Sequence, residues 1–164
     1  FDKARQKEFK SKPIKDFSKY HKDIFFILKT NKEIVSIGEL RNREINYLGK
    51  RYKIFGISNI ISLEKGKGYG KILMSSILNY SKEKKTTSVG FCARKNDGFY
   101  LKCGMEVKKN LSKRFYFKAK NKEERNYLKY FWKNDCDVIY WEGKQKIITK
   151  ILSTNSNVRI EMPW

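Results

Sequence analysis

Apolar residues along this chain fall into short runs that are separated by charged or glycine-containing segments. The apolar run at Asp23–Leu28 predicts a strand, and Asn31-Lys32 predicts the turn of a hairpin. Glu33–Arg43 alternates between two faces and predicts the returning strand. Gly49-Lys50 predicts another turn, and Tyr52–Ser62, rich in isoleucine and aromatic residues, is typical of a buried central strand.

Helical spacing appears in two segments. Apolar residues three apart within residues 13–20 predict a helix near the start of the chain. Leu73, Ile77 and Tyr80 recur at i, i+4 and i+7 and predict a longer helix. Lys82–Lys85 suits its C-terminal turn, because cations favour the negative end of a helix dipole. The remaining predicted elements are helices at Phe99–Cys103 and Glu123–Trp132, strands at Thr86–Cys92, Asp137–Trp141 and Val158–Met162, and a closing hairpin of Glu106–Lys109 with Arg114–Lys118.

We expect a single domain of the α+β class. A length of 164 residues suits one domain, and the chain shows neither an internal repeat nor a linker long enough to divide it. The expected architecture is a mixed, mostly antiparallel central sheet flanked by helices. Residues 1–22 would form an N-terminal helical part, residues 23–118 the core, and residues 119–164 a C-terminal helix and strands.

The chain is strongly basic, with 38 Lys and Arg against 17 Asp and Glu and a net charge of +21. A polyanionic partner, such as nucleic acid or a phosphate-rich cofactor, would explain this surplus. Compositional drift toward lysine would instead spread it over every exposed face, and the lysines are indeed scattered through almost every segment. Nucleic acid is therefore the less favoured partner. As a nucleic-acid-binding module, the chain would use Arg114, Tyr116, Lys118, Tyr127, Tyr130 and Trp132 as cations and stacking surfaces.

The numbers of cysteine and histidine residues limit which metal sites and catalytic sites the chain could form. The three cysteines are an odd number without a C-x-x-C pair, which predicts reduced thiols and a cytoplasmic location. His21 is the single histidine, so zinc sites and histidine-dependent nucleophilic sites are disfavoured, and we expect no metal. No run approaches the ~20 apolar residues of a membrane-spanning helix. No signal peptide is visible after Phe1, and we expect no membrane partner.

A glycine-rich segment, Glu64–Lys71, joins the predicted central strand to the longer helix. Gly66, Gly68 and Gly70 allow the backbone to approach a ligand without a Cβ in the way. A helix that begins at the third glycine also points free N–H groups and the positive end of its dipole at that ligand. A plain turn needs fewer glycines, so the segment predicts an anion site, most naturally for a pyrophosphate.

The sequence patterns of known phosphate-binding loops narrow the choice of ligand further. A P-loop requires G-x-x-x-x-G-K-[ST], but three residues separate the outer glycines here, and Lys71 is followed by Ile72, which has no hydroxyl. The Rossmann pattern G-x-G-x-x-G also fails, since the spacing is G-x-G-x-G. The pattern that fits is Lys65-x-x-Gly68-x-Gly70. It resembles the acetyl-CoA loop Arg/Gln-x-x-Gly-x-Gly/Ala of the GCN5-related N-acetyltransferase (GNAT) superfamily, with lysine in the first position.

A second segment, Asn96–Met105, resembles the downstream Asn…Phe-Tyr-x-Lys-x-Gly-Phe signature of the same superfamily. One predicted helix and one predicted strand separate it from the glycine-rich segment, as in the family. The resemblance covers roughly residues 23–118 and implies a GNAT-like fold that binds acetyl-CoA as co-substrate. It also implies an N-acetyltransferase in which a primary amine, on a small molecule or a peptide, attacks the thioester directly in a ternary complex.

The resemblance implies roles for individual residues. Backbone groups of Ile60 and Ser62 would hold the pantetheine arm, and Asn96 would contact the cofactor. Tyr100 stands where the family keeps its general acid, although an aromatic core residue is the alternative interpretation. The pyrophosphate would be held by Lys65, Gly66, Lys67, Gly68, Tyr69, Gly70 and Lys71.

The general base and the acceptor are less well defined. Many relatives place a glutamate on the central strand, but Ile57–Ile60 contains no carboxylate. The candidates are Glu39 on the neighbouring strand, a water chain, or the terminal carboxylate of Trp164. Residues 119–164 resemble the C-terminal part of bacterial aminoglycoside 2′-N-acetyltransferases. A net charge of +21 disfavours a polycationic acceptor, so the acceptor stays unassigned.

Overall fold

The computed structural model describes residues 1–31, 33–117 and 136–160. Its strands are β1 (Ile24–Thr30), β2 (Glu33–Tyr47), β3 (Lys50–Ser62), β4 (Ser88–Ala93), β5 (Glu106–Lys108), β6 (Phe115–Tyr116), β7 (Cys136–Trp141) and β8 (Val158–Ile160). Its α-helices are α1 (Asp2–Phe9), α2 (Tyr69–Glu83), α3 (Asp97–Lys102) and α4 (Ile147–Leu152), and short 3₁₀ helices lie at Phe17–Tyr20, Arg94–Asn96 and Leu111–Arg114.

The strands form one mixed sheet in the order β5-β7-β4-β3-β2-β8-β6, and β1 also pairs with β2. Neighbours are antiparallel except for β3 with β4 and β6 with β8. The predicted α+β class, with a mostly antiparallel sheet flanked by helices, is confirmed. The predicted central strand is β3, which lies in the middle of this order.

Two hydrophobic clusters hold the helices against the sheet. Leu73, Met74 and Ile77 of α2 are almost fully buried in a cluster that includes Leu40 and Ile57 of the sheet. The isoleucines of α4 are fully buried in the other cluster, where they pack with residues of β2, β7 and β8. Burial of apolar side chains is the main stabilising term in folding, so these clusters fix the position of the sheet relative to α2 and α4.

Strands β3 and β4 run parallel but pair only at Phe55 with Ser88 and at Gly56 with Val89. Beyond Gly56, β3 continues to Ser62 with β2 as its partner, while β4 continues with β7. The two strands therefore separate, and we call the opening between residues 57–62 of β3 and the second half of β4 the β3–β4 gap. The edge of β3 that faces this gap has no strand partner among the described residues.

A β-bulge interrupts β3 inside this opening. Ser58 lies opposite Glu39, and Ile61 lies opposite Ile37, so two residues of β3 face only Gly38 on β2. Asn59, the first of the two, has a left-handed φ of 52°. A bulge of this kind bends the strand and changes the direction of the side chains that follow it.

The N-terminal part differs from its prediction. The α-helix lies at Asp2–Phe9, whereas residues 13–20 contain only a 3₁₀ turn. The carboxylate of Asp2 accepts hydrogen bonds from the Arg5 side chain (3.1 Å) and from the Ile14 N–H (3.0 Å), so the chain folds back on itself. Lys10, in the left-handed conformation, ends the helix before the predicted start.

The predicted closing hairpin is wrong. Strand β5 pairs with β7, and β6 pairs with β8, so the two segments do not pair with each other. Left-handed Asn110 and the 3₁₀ helix after it turn the chain away before a hairpin can form. Helix α4, which lies between the two late strands, was not predicted, and the predicted helix Glu123–Trp132 lies outside the described residues.

Candidate active site

The glycine-rich segment forms an open loop in front of α2. Gly66 (φ 81°) and Gly68 (φ 79°) have the left-handed backbone conformation, which residues with a Cβ rarely adopt. A Cβ on either glycine would have no heavy atom of the described chain within 4 Å. The Gly68 carbonyl accepts the N–H groups of Lys71 (3.0 Å) and Ile72 (3.2 Å), and no described side chain caps the helix. The start of α2 is therefore a candidate anion site.

Gly70 has a different role from the other two glycines. Its Cβ would lie 3.3 Å from Cζ of Phe99 and 3.9 Å from Cβ of Ser62. The end of β3, the start of α2 and the start of α3 therefore meet at this point. The small residue at Gly70 allows this close packing, whereas only Gly66 and Gly68 keep space clear for a ligand.

Three exposed lysines surround the loop: Lys65, Lys67 and Lys71. Nζ of Lys65 lies 2.7 Å from Oε1 of Glu8 on α1, and its side chain is 72% exposed. Exposed ion pairs of this kind contribute little, so an anionic ligand can compete with Glu8 for this lysine. Asn96, also exposed, lies immediately before α3 at the other side of the meeting point.

Tyr100 lies on α3, and its ring packs against the cluster between α2 and the sheet. The rings of Phe99 and Tyr100 are in edge contact, with centroids 5.0 Å apart. Burial raises the pKa of Tyr100 well above its usual range, and the nearby thiols of Cys92 and Cys103 add to this shift. The phenol is therefore protonated at neutral pH and is a hydrogen-bond donor, while its ring also serves the core.

Glu39 lies on β2, opposite Ser58 and on the sheet face away from α2, where it is fully buried. Arg41 donates to both of its oxygens, from Nε to Oε1 at 2.9 Å and from Nη2 to Oε2 at 3.1 Å. Nδ2 of Asn59 donates to Oε2 at 2.6 Å. Both carboxylate oxygens of Glu39 are therefore already engaged by donors within the protein.

Two further charged residues lie beside Glu39 and Arg41. Nη1 of Arg43 lies 3.3 Å from Oδ1 of Asp23, and Nε of Arg41 lies 4.0 Å from Oδ2 of Asp23. Burial raises the pKa of Asp23, against the attraction of Arg43. We call Asp23, Glu39, Arg41 and Arg43 the charge cluster. Its two carboxylates and two guanidinium groups are formally balanced, so it offers no surplus negative charge to a cationic ligand.

The structure brings most of the predicted residues to one place. The loop, Ile60, Ser62, Asn96 and Tyr100 all lie around the β3–β4 gap, and Glu39 lies across β3 from them. Trp164 lies outside the described residues. The sequence-based interpretation missed Asn59 and Phe99. An asparagine within an isoleucine-rich strand is the signal that could have revealed the bulge, since asparagine tolerates left-handed backbone.

The structure describes only Arg114 and Tyr116 among the residues of the nucleic-acid alternative. The guanidinium of Arg114 donates to the Ser156 carbonyl, with Nε at 3.1 Å, and is engaged within the fold. Tyr116 is exposed, and the other residues of that alternative lie outside the described ranges. Across the described parts of the chain, no group of three or more His, Cys, Asp and Glu could hold a metal, and no helix is both long and apolar enough to cross a membrane.

Known proteins resemble this chain in structure. No protein-family model matches the chain, and no curated protein matches its sequence. A spermidine N-acetyltransferase chimera that includes the Vibrio cholerae enzyme matches with a TM-score of 0.52 and 19% identity, over 80% of this chain and 76% of that chain. A Bacillus subtilis acetyltransferase in complex with CoA matches with a TM-score of 0.50 and 14% identity, over 77% and 81%. A GNAT family N-acetyltransferase from Escherichia coli, also with CoA, matches with a TM-score of 0.50 and 10% identity, over 85% and 66%.

The chain has the GNAT fold. The expectation drawn from the two sequence motifs is confirmed at the level of fold. The chain spans 21% of the length of a matched GCN5-related N-acetyltransferase from Kribbella flavida and 28% of a probable N-acyltransferase from Enterococcus faecalis. A shared fold does not by itself show a shared activity.

Proposed function

We propose that this chain is an acetyl-CoA-dependent N-acetyltransferase that acts on a primary amine. The observation that carries this proposal is the uncapped start of α2, set behind left-handed Gly66 and Gly68 at the end of the β3–β4 gap. The pyrophosphate of acetyl-CoA would accept hydrogen bonds from the loop amides. Its pantetheine arm would run along the unpartnered edge of β3 at Ile60–Ser62, and Lys65, Lys67, Lys71 and Asn96 would contact the cofactor.

The reaction is a direct transfer. The amine nitrogen forms a bond to the thioester carbonyl carbon, the carbon–sulfur bond breaks, and CoA leaves as the thiolate. Tyr100 would donate its phenol proton to the departing sulfur, the general-acid role that the resemblance implies. Positioning of the two reactants supplies the rest of the rate enhancement, since no covalent intermediate on the protein is needed.

The proton of the attacking amine needs an acceptor. Glu39 remains a candidate from the sequence, but it is fully buried and both of its oxygens already accept hydrogen bonds. A water chain and the terminal carboxylate of Trp164 remain the other predictions. The resemblance of residues 119–164 to aminoglycoside 2′-N-acetyltransferases and the cytoplasmic location also stay predictions, and the acceptor amine stays unassigned.

Calorimetric titration with CoA tests the cofactor part of this proposal. Gly68→Ala places a methyl group in the open space of the loop and should weaken CoA binding at least tenfold. Gly49→Ala is the matched control, because Gly49 (φ 74°) is also left-handed and also has no heavy atom within 4 Å. Both substitutions carry the same left-handed penalty, about 1 kcal/mol. Equal CoA affinity in the two variants, or no CoA binding by the wild type, would contradict the proposal.

A further inference from the structure

The bulge in β3 places two consecutive side chains on one face of the sheet. Ser58 lies directly opposite Glu39, and the side chain of the next residue, Asn59, also bonds to Glu39. Ile60 then lies on the opposite face, where its Cδ1 would be 2.8 Å from a Cβ on Gly38 and where it packs against the α2 cluster. The left-handed conformation of Asn59 therefore decides which way the chain points from Ile60 onward.

Asn59 is unusual within the described residues, because it is the single non-glycine residue inside a strand that has a left-handed φ. An asparagine in this conformation still costs free energy, so neighbouring contacts must hold it. The contact seen is the 2.6 Å hydrogen bond from Nδ2 of Asn59 to Oε2 of Glu39. Arg41 in turn fixes both carboxylate oxygens of Glu39 from the same strand.

We propose that Glu39 is a positioning residue whose carboxylate, fixed by Arg41, holds Asn59 and thereby locks the bulge that presents residues 60–62 to the β3–β4 gap. This inference rests on the proposed function, because those residues are the ones assigned to the pantetheine arm. It gives the buried carboxylate a task that needs no contact with substrate. It also explains why donors within the protein engage both of its oxygens.

The two roles of Glu39 predict opposite kinetic results. As a positioning residue, Glu39→Gln should weaken CoA binding about tenfold, and kcat at saturating acetyl-CoA should stay within a few-fold of the wild type. The shape of the pH–rate profile should not change. As a general base, Glu39→Gln would leave CoA binding intact, lower kcat by ~10²–10⁴-fold and remove a limb of the pH–rate profile.

Asn59→Gly tests the same contact without removing a buried charge. Glycine adopts the left-handed conformation freely, so only the hydrogen bond to Glu39 is lost. Asn31→Gly is the matched control, because Asn31 also has a φ of 52° but lies in the turn between β1 and β2. We expect Asn59→Gly to weaken CoA binding as much as Glu39→Gln does. We also expect the double variant to be no weaker than either single variant, since both substitutions act on the same contact.

Amide hydrogen exchange in the CoA-free chain separates this inference from the proposed function. Exchange at residues 60–62 should be faster in Asn59→Gly than in the wild type or in Asn31→Gly. If the wild type binds no CoA, the proposed function fails, and the exchange result alone decides whether the contact locks the bulge. Unchanged exchange in Asn59→Gly, or unchanged CoA affinity of Asn59→Gly when the wild type does bind CoA, would overturn the inference.

Discussion

The two sides of strand β3 are built on different principles. On the side toward the β3–β4 gap, the site consists of backbone amides and exposed cations around left-handed glycines. On the side toward β2, fully buried Glu39 accepts hydrogen bonds from half-buried Arg41 and Asn59. The open side has groups left to bind a ligand, whereas the carboxylate of Glu39 on the other side is already engaged at both oxygens. Chemistry is therefore expected on the first side and positioning on the second.

Charge is distributed in the same unequal way. The charge cluster balances two carboxylates against two guanidinium groups, so it adds nothing to the net charge of +21. The exposed lysines of the loop, by contrast, add positive charge where a pyrophosphate would arrive. The loop lysines therefore add to the long-range attraction of an anionic cofactor, and the charge cluster does not.

The largest expected effect comes from the gap side. Tyr100→Phe should lower kcat by ~10²–10⁴-fold, because the departing thiolate loses its proton donor, while CoA affinity changes little. Tyr116→Phe, on an exposed tyrosine, is the matched control and should act like the wild type. Because the pKa of Tyr100 is raised, its ionisation should cause no loss of rate up to the ordinary tyrosine pKa of about 10. Wild-type turnover in Tyr100→Phe, with chemistry rate-limiting, would leave Tyr100 as a core residue.

The next effect concerns stability on the side toward β2. Arg41→Ala leaves the buried carboxylate of Glu39 without its main partner and should lower the free energy of unfolding by about 3–5 kcal/mol. Chemical denaturation measures this loss, and Arg51→Ala, at an exposed position of β3, should cost far less. A loss as small as that of Arg51→Ala would show that the charge cluster does not hold the sheet.

The smallest effect concerns the loop lysines. Lys67→Gln or Lys71→Gln should each weaken CoA binding only a few-fold at low salt, because these side chains are exposed and screened. Lys53→Gln, exposed on β3, is the control. The difference from the wild type should vanish at high salt, as titrations at two ionic strengths would show. A salt-independent loss would instead indicate a direct structural role for the lysine.

Local sequence patterns predicted the parts of the molecule that depend on neighbours along the chain. Alternating and helical spacing located most strands and α2, and the interleaved glycines located the open loop in front of α2. The charge cluster, the bulge at Asn59 and the packing of Phe99 on Gly70 join residues far apart in sequence, so no local pattern reveals them. The wrong hairpin has the same cause, because β5 and β6 find their partners in β7 and β8 rather than in each other.

A single-turnover transfer experiment tests the central claim most directly. The wild type is mixed with a stoichiometric amount of acetyl-CoA carrying an isotopic label in the acetyl group, with and without a set of polyamines, aminoglycosides and lysine peptides. The account predicts that the label stays on CoA without amine and moves to an amine nitrogen when an acceptor is present, with one free thiol released per acetyl group. Label bound covalently to the protein, or thiol release without an acetylated amine, would contradict direct transfer.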